Sequence, residues 1–138
     1  MAFLVDTNVV SELRKAAPDP NVLAWHQSQI RAQAYISTLV VGEIRQGIER
    51  VSARDPKQAE SLERWLRGLI SAYQDRILPI TTDVAQQWGR INVPPKPPPV
   101  VDGLMAATAL VHRLTLVTRN VADVARTGVR LVNPFQPG

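Results

Sequence analysis

The chain has no cysteine. That excludes disulfides, thiolate metal sites and cysteine nucleophiles, and it fits a reducing, cytoplasmic setting. Aromatic residues make up only 5% of the chain, so Leu, Ile, Val and Ala must supply most of the core from the 45% that is hydrophobic. No apolar run approaches the ~20 residues of a membrane-spanning helix, so no membrane association is expected. The start carries no basic stretch before Phe3-Leu4-Val5, and Asp6 interrupts that run at once, so it does not read as a signal peptide. Phosphate-binding glycine loops are missing too. Neither G-x-x-x-x-G-K-[ST] nor G-x-G-x-x-G occurs, and there is no G-x-S-x-G elbow for a serine nucleophile. His26 and His112 both fall within helical patterns and read as surface or packing residues.

What is present is a single domain's length, 138 residues, with a basic excess. The net charge is +4 and the isoelectric point is about 10.1. Nucleic acid is a plausible partner, because fixed cations gain by releasing phosphate counterions; plain solvation is the alternative. Arg45, Arg50, Arg54, Arg64, Arg67 and Arg76 crowd the middle third.

Hydrophobic patterning predicts alternating strands and helices. Residues 2–6 read as a buried strand, continuously apolar as parallel strands are. A short helix over 7–15 follows, then a loop with Pro18 and Pro20, then a helix over 21–30. Residues 34–37 form a second strand, and Ser37 or Thr38 caps a helix over 39–52. A helix starts at Asp55-Pro56 and runs to about Tyr73. A strand over 77–80 and a helix from Thr82 or Asp83 to about Ile91 come next. The run Val93-Pro94-Pro95-Lys96-Pro97-Pro98-Pro99 reads as a stiff extended loop. Residues 100–113 form a helix, 115–118 a strand, 121–126 a short helix and 129–132 a last strand. Such alternation predicts an α/β fold with a parallel sheet covered on both faces.

On that pattern the acids fall in telling places. Asp6 ends the first strand, Glu43 lies one turn into the helix after the second, Asp102 opens the helix 100–113, and Asn120 and Asp123 follow the strand 115–118. The carboxyl ends of parallel strands form the crevice where ligands bind. Carboxylates crowded there repel one another, and a hard divalent cation such as Mg²⁺ or Mn²⁺ suits them. Each residue also has a plainer reading. Asp6 could only cap a helix, Glu43 could pair with Arg45 or Arg50, and Asp102 could only serve the helix dipole. Asn120 and Asp123 could be a turn and a cap. Glu43 shares a side of its helix with Val40 and is expected to be at least partly buried. Asn8 could support a carboxylate or a bound water by hydrogen bonding.

Four segments then carry a resemblance. They are Leu4-Val5-Asp6-Thr7-Asn8-Val9-Val10-Ser11-Glu12-Leu13, Val41-Gly42-Glu43-Ile44, Val101-Asp102-Gly103-Leu104-Met105-Ala106-Ala107-Thr108-Ala109 and Val117-Thr118-Arg119-Asn120-Val121-Ala122-Asp123. In order and spacing the chain resembles a PIN domain, over residues 1–138, and specifically a VapC-type toxin of the FitB-like branch. The resemblance implies a three-layer α/β/α sandwich with a mostly parallel central sheet and a Mg²⁺- or Mn²⁺-dependent endoribonuclease. It implies a VapB-like antitoxin as partner, RNA as substrate, and a homodimer or larger toxin–antitoxin assembly. Asp6, Glu43 and Asp102 match the three core acids. Asp6 and Asp102 are expected to hold the metal. The fourth acid often stands directly after Thr-Arg, where this chain has Asn120; Asp123, Asn120 through water, or neither could fill the role. Arg119 and Lys96 are candidate contacts to the RNA backbone. Trp25 and Trp65, read from their spacing as core residues, are also possible anchors for the antitoxin. An inactive binding module of the same fold is the competing reading. A phosphatase of the haloacid dehalogenase type is disfavoured, since it wants a second Asp where this chain has Asn8.

Overall fold

The computed structural model describes residues 2–29 and 32–137. Five strands make one sheet in the order β3-β2-β1-β4-β5. They are β1 (Ala2–Val5), β2 (Gln33–Ser37), β3 (Ile77–Leu78), β4 (Thr115–Val117) and β5 (Leu131–Val132). Every pairing is parallel. Among the described residues, seven α-helices connect and cover them: α1 (Thr7–Arg14), α2 (Pro20–Ser28), α3 (Thr38–Ser52), α4 (Pro56–Tyr73), α5 (Thr82–Ile91), α6 (Val100–His112) and α7 (Val121–Val124). The expected parallel α/β architecture is therefore present.

The element ends differ from the sequence reading where local chemistry decides them. Asp6 is not strand but the N-cap of α1, its side chain accepting from the Thr7 N–H. The second helix starts at Pro20 rather than Asn21. Asp19 caps it, accepting from the N–H groups of Asn21 and Val22, and Pro20 takes the first-turn position where its missing N–H costs nothing. Its expected last residue, Ile30, lies outside the described residues. Strand β3 stops at Leu78, not Ile80, because Pro79 has no N–H for the ladder. The helix α6 ends at His112, and Arg113 follows in the left-handed conformation at φ 56°. The segment expected as one helix over 121–126 is α7 followed by a 3₁₀ turn over Ala125–Thr127. Strand β5 pairs only at Leu131 and Val132.

The core lies where the central strands meet the helices. Leu4, Ile36, Leu116 and Val117 of the sheet pack with Val9, Val40 and Met105 from the helices, all fully buried. Helix α6 is the most deeply buried of the helices. Its run Met105, Ala106, Ala107, Thr108 and Ala109 is entirely buried. Small side chains let it approach the sheet, and Gly103 lets it approach α5: a Cβ there would collide with the Asn92 side chain. That packing sets the position of Asp102, one residue earlier.

Candidate functional site

The site is built by strand ends. Val5 of β1 pairs with Val117 of β4, so the next residues, Asp6 and Thr118, leave the sheet side by side. The Asp6 N–H continues the ladder to the Val117 carbonyl at 2.9 Å. Asp6 is buried, and both its oxygens are held. Oδ1 accepts from the Thr7 N–H at 2.7 Å, and Oδ2 accepts from the Thr118 hydroxyl at 2.7 Å. A residue that only capped a helix would not need the second bond. Thr118 in turn accepts the Asn120 N–H at 3.0 Å, which folds the chain after β4 back toward Asp6.

Glu43 comes from the second turn of α3, whose N-cap Ser37 ends β2. Its Oε1 accepts from the Thr7 hydroxyl at 2.5 Å. Contrary to expectation, Glu43 is exposed. The buried stripe of α3 runs through Val40, Ile44 and Ile48, and Glu43 sits beside it at the rim, tied to α1 instead of covered. The alternative partner Arg45 makes a bidentate pair with Glu63, both bonds 2.7 Å, so it does not neutralise Glu43.

Asp102 stands in the first turn of α6, half-buried. Burial raises its carboxyl above the ordinary aspartate range. The charges of Asp6, Asp123 and Glu43 push it the same way, and a hydrogen bond from the Asn120 side chain pulls it back in part. Asp6, Glu43 and Asp123 therefore lie near enough for their charges to act on Asp102. Asn120 occupies the N-cap position of α7, yet its side chain makes no cap bond, which leaves the amide for Asp102. The Asn8 Oδ1 accepts the Arg119 N–H at 3.3 Å and so ties α1 to the turn after β4. Arg119 is exposed, and its guanidinium lies over the Phe135 ring at 4.4 Å. Lys96 is exposed in the proline loop.

The acids singled out in the sequence lie near one another around Asp102, and two hydroxyls that the sequence reading missed are bonded to them. Thr7 and Thr118 bind Glu43 and Asp6. Thr118 had a signal: it closes the predicted strand 115–118 as Asp6 closes the predicted strand 2–6.

The charge balance decides what this mouth can do. Among the described residues, none of Asp6, Glu43, Asp102 or Asp123 is ion-paired with a base. Nor do any three acidic or histidine side chains converge tightly enough to close around an ion. Such a set does not make an all-protein cage. It does fit Mg²⁺ or Mn²⁺ held by one or two carboxylates with water filling the rest, the habit of Mg²⁺ at phosphate-handling sites.

A second concavity, about 250 Å³, opens on the other side of α1, among α1, α2 and α4. Val10, Leu13, Trp25, Trp65, Leu69 and Tyr73 line it. Trp25 and Trp65 are half-buried rather than wholly core. Trp25 packs edge-on against Phe3, and the Arg14 guanidinium lies over Trp65.

Comparison with known proteins agrees with this geometry. VapC ribonuclease Y4jK of Sinorhizobium fredii is 33% identical, over 98% of this chain and 99% of its own length. Toxin FitB of Neisseria gonorrhoeae is 32% identical, over 96% of this chain and 98% of its own. The crystal structure of FitAcB from Neisseria gonorrhoeae superposes with a TM-score of 0.87 at 32% identity, covering 97% of this chain and 99% of that one. The PIN domain family pattern itself matches residues 3–128. With the parallel sheet, the strand-end acids and this match in agreement, the chain belongs to the PIN domain family.

Proposed function

We propose that this protein is the toxin of a toxin–antitoxin pair and acts as a divalent-cation-dependent endoribonuclease. The observation that carries the reading is the group of four carboxylates at the carboxyl edge of the sheet, with no base pairing any of them among the described residues. Uncompensated carboxylates are costly, and a hard cation relieves that cost while creating an electrophilic site for phosphate. The similarity to a protein named as a ribonuclease and another named as a toxin supports the chemistry and the setting.

In this reading Asp6 and Asp102 hold Mg²⁺, or Mn²⁺, directly. The bound cation supplies charge neutralisation at the scissile phosphate and makes a water more acidic. Thr7 and Thr118 fix the Asp6 carboxylate, so it needs little reorganisation on binding. Glu43 and Asp123 stand at the rim, placed to accept a proton from, or orient, the attacking water. Asn120 steadies Asp102, and Asn8 holds the turn that carries Arg119. Arg119 and Lys96 meet the RNA backbone, which positions substrate without reading sequence.

Purified protein with RNA and Mg²⁺ should cut it, EDTA should stop the cutting, and Asp6→Asn should not cut. EDTA-resistant cleavage, or full activity in Asp6→Asn, overturns the reading.

The partner follows from the same surfaces. An acidic mouth is best closed by Arg, whose planar fork pairs bidentately with carboxylates. The antitoxin is a VapB-like chain that places an Arg near Asp6, Glu43 and Asp102 and lays an apolar segment in the groove beside Trp25 and Trp65. Replacing that Arg with Ala should restore Mg²⁺-dependent cleavage in the complex. A complex that forms with unchanged affinity yet stays inactive would instead show inhibition by blocked access.

A further inference from the structure

A groove of about 630 Å³ runs between the proline loop and α7, and two cations face it, Lys96 and Arg126. Pro95 and Pro97 flank Lys96 on one wall; Ala122 and Asp123 lie on the other with Arg126. Neither cation is ion-paired with a carboxylate among the described residues. The groove is continuous with the acid cluster at two points. The loop that carries Lys96 enters α6 at Pro99, three residues before Asp102. Opposite it, Asn120, Asp123 and Arg126 follow at intervals of three along α7 and its 3₁₀ turn, a spacing that keeps them on one side. Amide, acid and guanidinium therefore form a row leading away from Asp102.

The chemistry of that row differs from the mouth it leaves. The mouth is all acid and repels a polyanion until a cation is bound. The groove offers a Lys ammonium and an Arg fork, both strong phosphate donors. The prolines beside Lys96 restrict its backbone, so little chain freedom is lost when it binds. We propose that Lys96 and Arg126 form a subsite for a phosphate of single-stranded RNA adjacent to the scissile one, threading the strand along the groove toward the acids. Arg126 was not a candidate from sequence, and Lys96 gains a partner. This inference rests on the ribonuclease reading. These two residues are positioning residues: they touch a phosphate that does not react.

The consequence is a split between binding and chemistry. The test uses a short labelled RNA spanning a cleavage site mapped in total bacterial RNA, with Mg²⁺, over a range of salt. For Lys96→Ala/Arg126→Ala, KM should rise roughly tenfold or more with kcat nearly kept. The slope of log KM against log salt should fall by about 1.4, since each single-strand phosphate contact contributes about 0.7. Arg126→Lys should recover much of the loss. Lys57→Ala/Arg130→Ala, in which Arg130 lies at the amino end of β5 and Lys57 at the start of α4, should behave as the unaltered chain. If the double alanine variant does not fold, Lys96→Gln and Arg126→Gln, singly, carry the same readout. Cleavage by the unaltered chain with KM and salt slope unchanged in the variants overturns the subsite and leaves the ribonuclease reading standing. So does a fall in kcat as large as the rise in KM. No cleavage of RNA by the unaltered chain overturns both.

Discussion

Helix α1 separates two regions that are unbalanced in opposite ways. Its first residues, Thr7 and Asn8, face the acid mouth, where no carboxylate is ion-paired among the described residues. Val10, Leu13 and Arg14, a turn later, face the apolar groove, where two tryptophans stay half-exposed. The rest of the fold is settled: strands paired, Ala-rich α6 buried, Arg45 locked on Glu63. Buried polar groups and open apolar patches are the informative departures in a folded chain. Under the proposed function, one departure takes a cation and its phosphate, and the other takes an apolar segment. Because a single eight-residue helix carries both, an occupant of the groove is well placed to control the mouth.

The comparison breaks most sharply at Asp6. Asp6→Asn keeps the shape and the bond from the Thr7 N–H but removes the charge proposed to hold the cation. Metal ions contribute several kcal/mol to such reactions, so cleavage should fall about a thousandfold or more. An Asp19→Asn variant, which alters the N-cap of α2, should leave the cleavage rate unchanged. Next in size is the metal itself. A cation that binds only the folded chain stabilises it by roughly 2.7 kcal/mol at a hundredfold excess over Kd. Thermal melts with and without Mg²⁺ or Mn²⁺ should show that gain in the unaltered chain and lose most of it in Asp6→Asn. An equal gain in both sinks the proposed ligand.

Asp6 and Asp19 also show how much of the site was legible. In sequence both are an Asp before a helix, and both cap one. What distinguished Asp6 was the apolar run Phe3-Leu4-Val5 ahead of it, which placed it at a strand end; the structure puts that end beside the switch in strand order. The same logic found Asp102 and the Asn120–Asp123 turn. It failed for Glu43's burial, because helix periodicity gives a side of the helix and not what the neighbouring elements cover. It missed Thr118, whose role depends on the register of β1 against β4. The β3 end was misjudged because two apolar residues before Pro79 look the same as four spanning it. Of the apolar groove, Trp25 and Trp65 were legible as possible anchors, while the concavity itself depends on how α1, α2 and α4 pack.

Trp65 is the sharper probe of the groove, because Trp25 also packs edge-on against Phe3 and its loss would disturb the core. Aromatic anchors in such grooves carry 2 kcal/mol or more, so Trp65→Ala should weaken antitoxin binding about thirtyfold. Mg²⁺-dependent cleavage by the free toxin should stay intact. Calorimetry of the antitoxin segment against both forms decides it; unchanged affinity places the segment elsewhere.

The smallest effect is the most diagnostic of crowding at the mouth. Asp102 binds its proton more tightly folded than unfolded, because burial and the charges of Asp6, Asp123 and Glu43 disfavour its anion. A carboxyl raised in this way destabilises the fold once ionised. The cost is absent below its unfolded pKa, grows as pH rises toward its folded pKa, and is fully present above that. Asp102→Asn should therefore raise the melting temperature of the metal-free protein at neutral pH, by a few degrees at most. The gain should vanish as pH falls to the ordinary aspartate range. The same variant should lose the stabilisation that Mg²⁺ confers. Asp102 also sits in the first turn of α6, where a negative charge favours the helix dipole. If that were its main role, the substitution would lower the metal-free melting temperature at neutral pH. The sign of one melt at pH 7 therefore separates an acid held for a cation from an acid held for a helix.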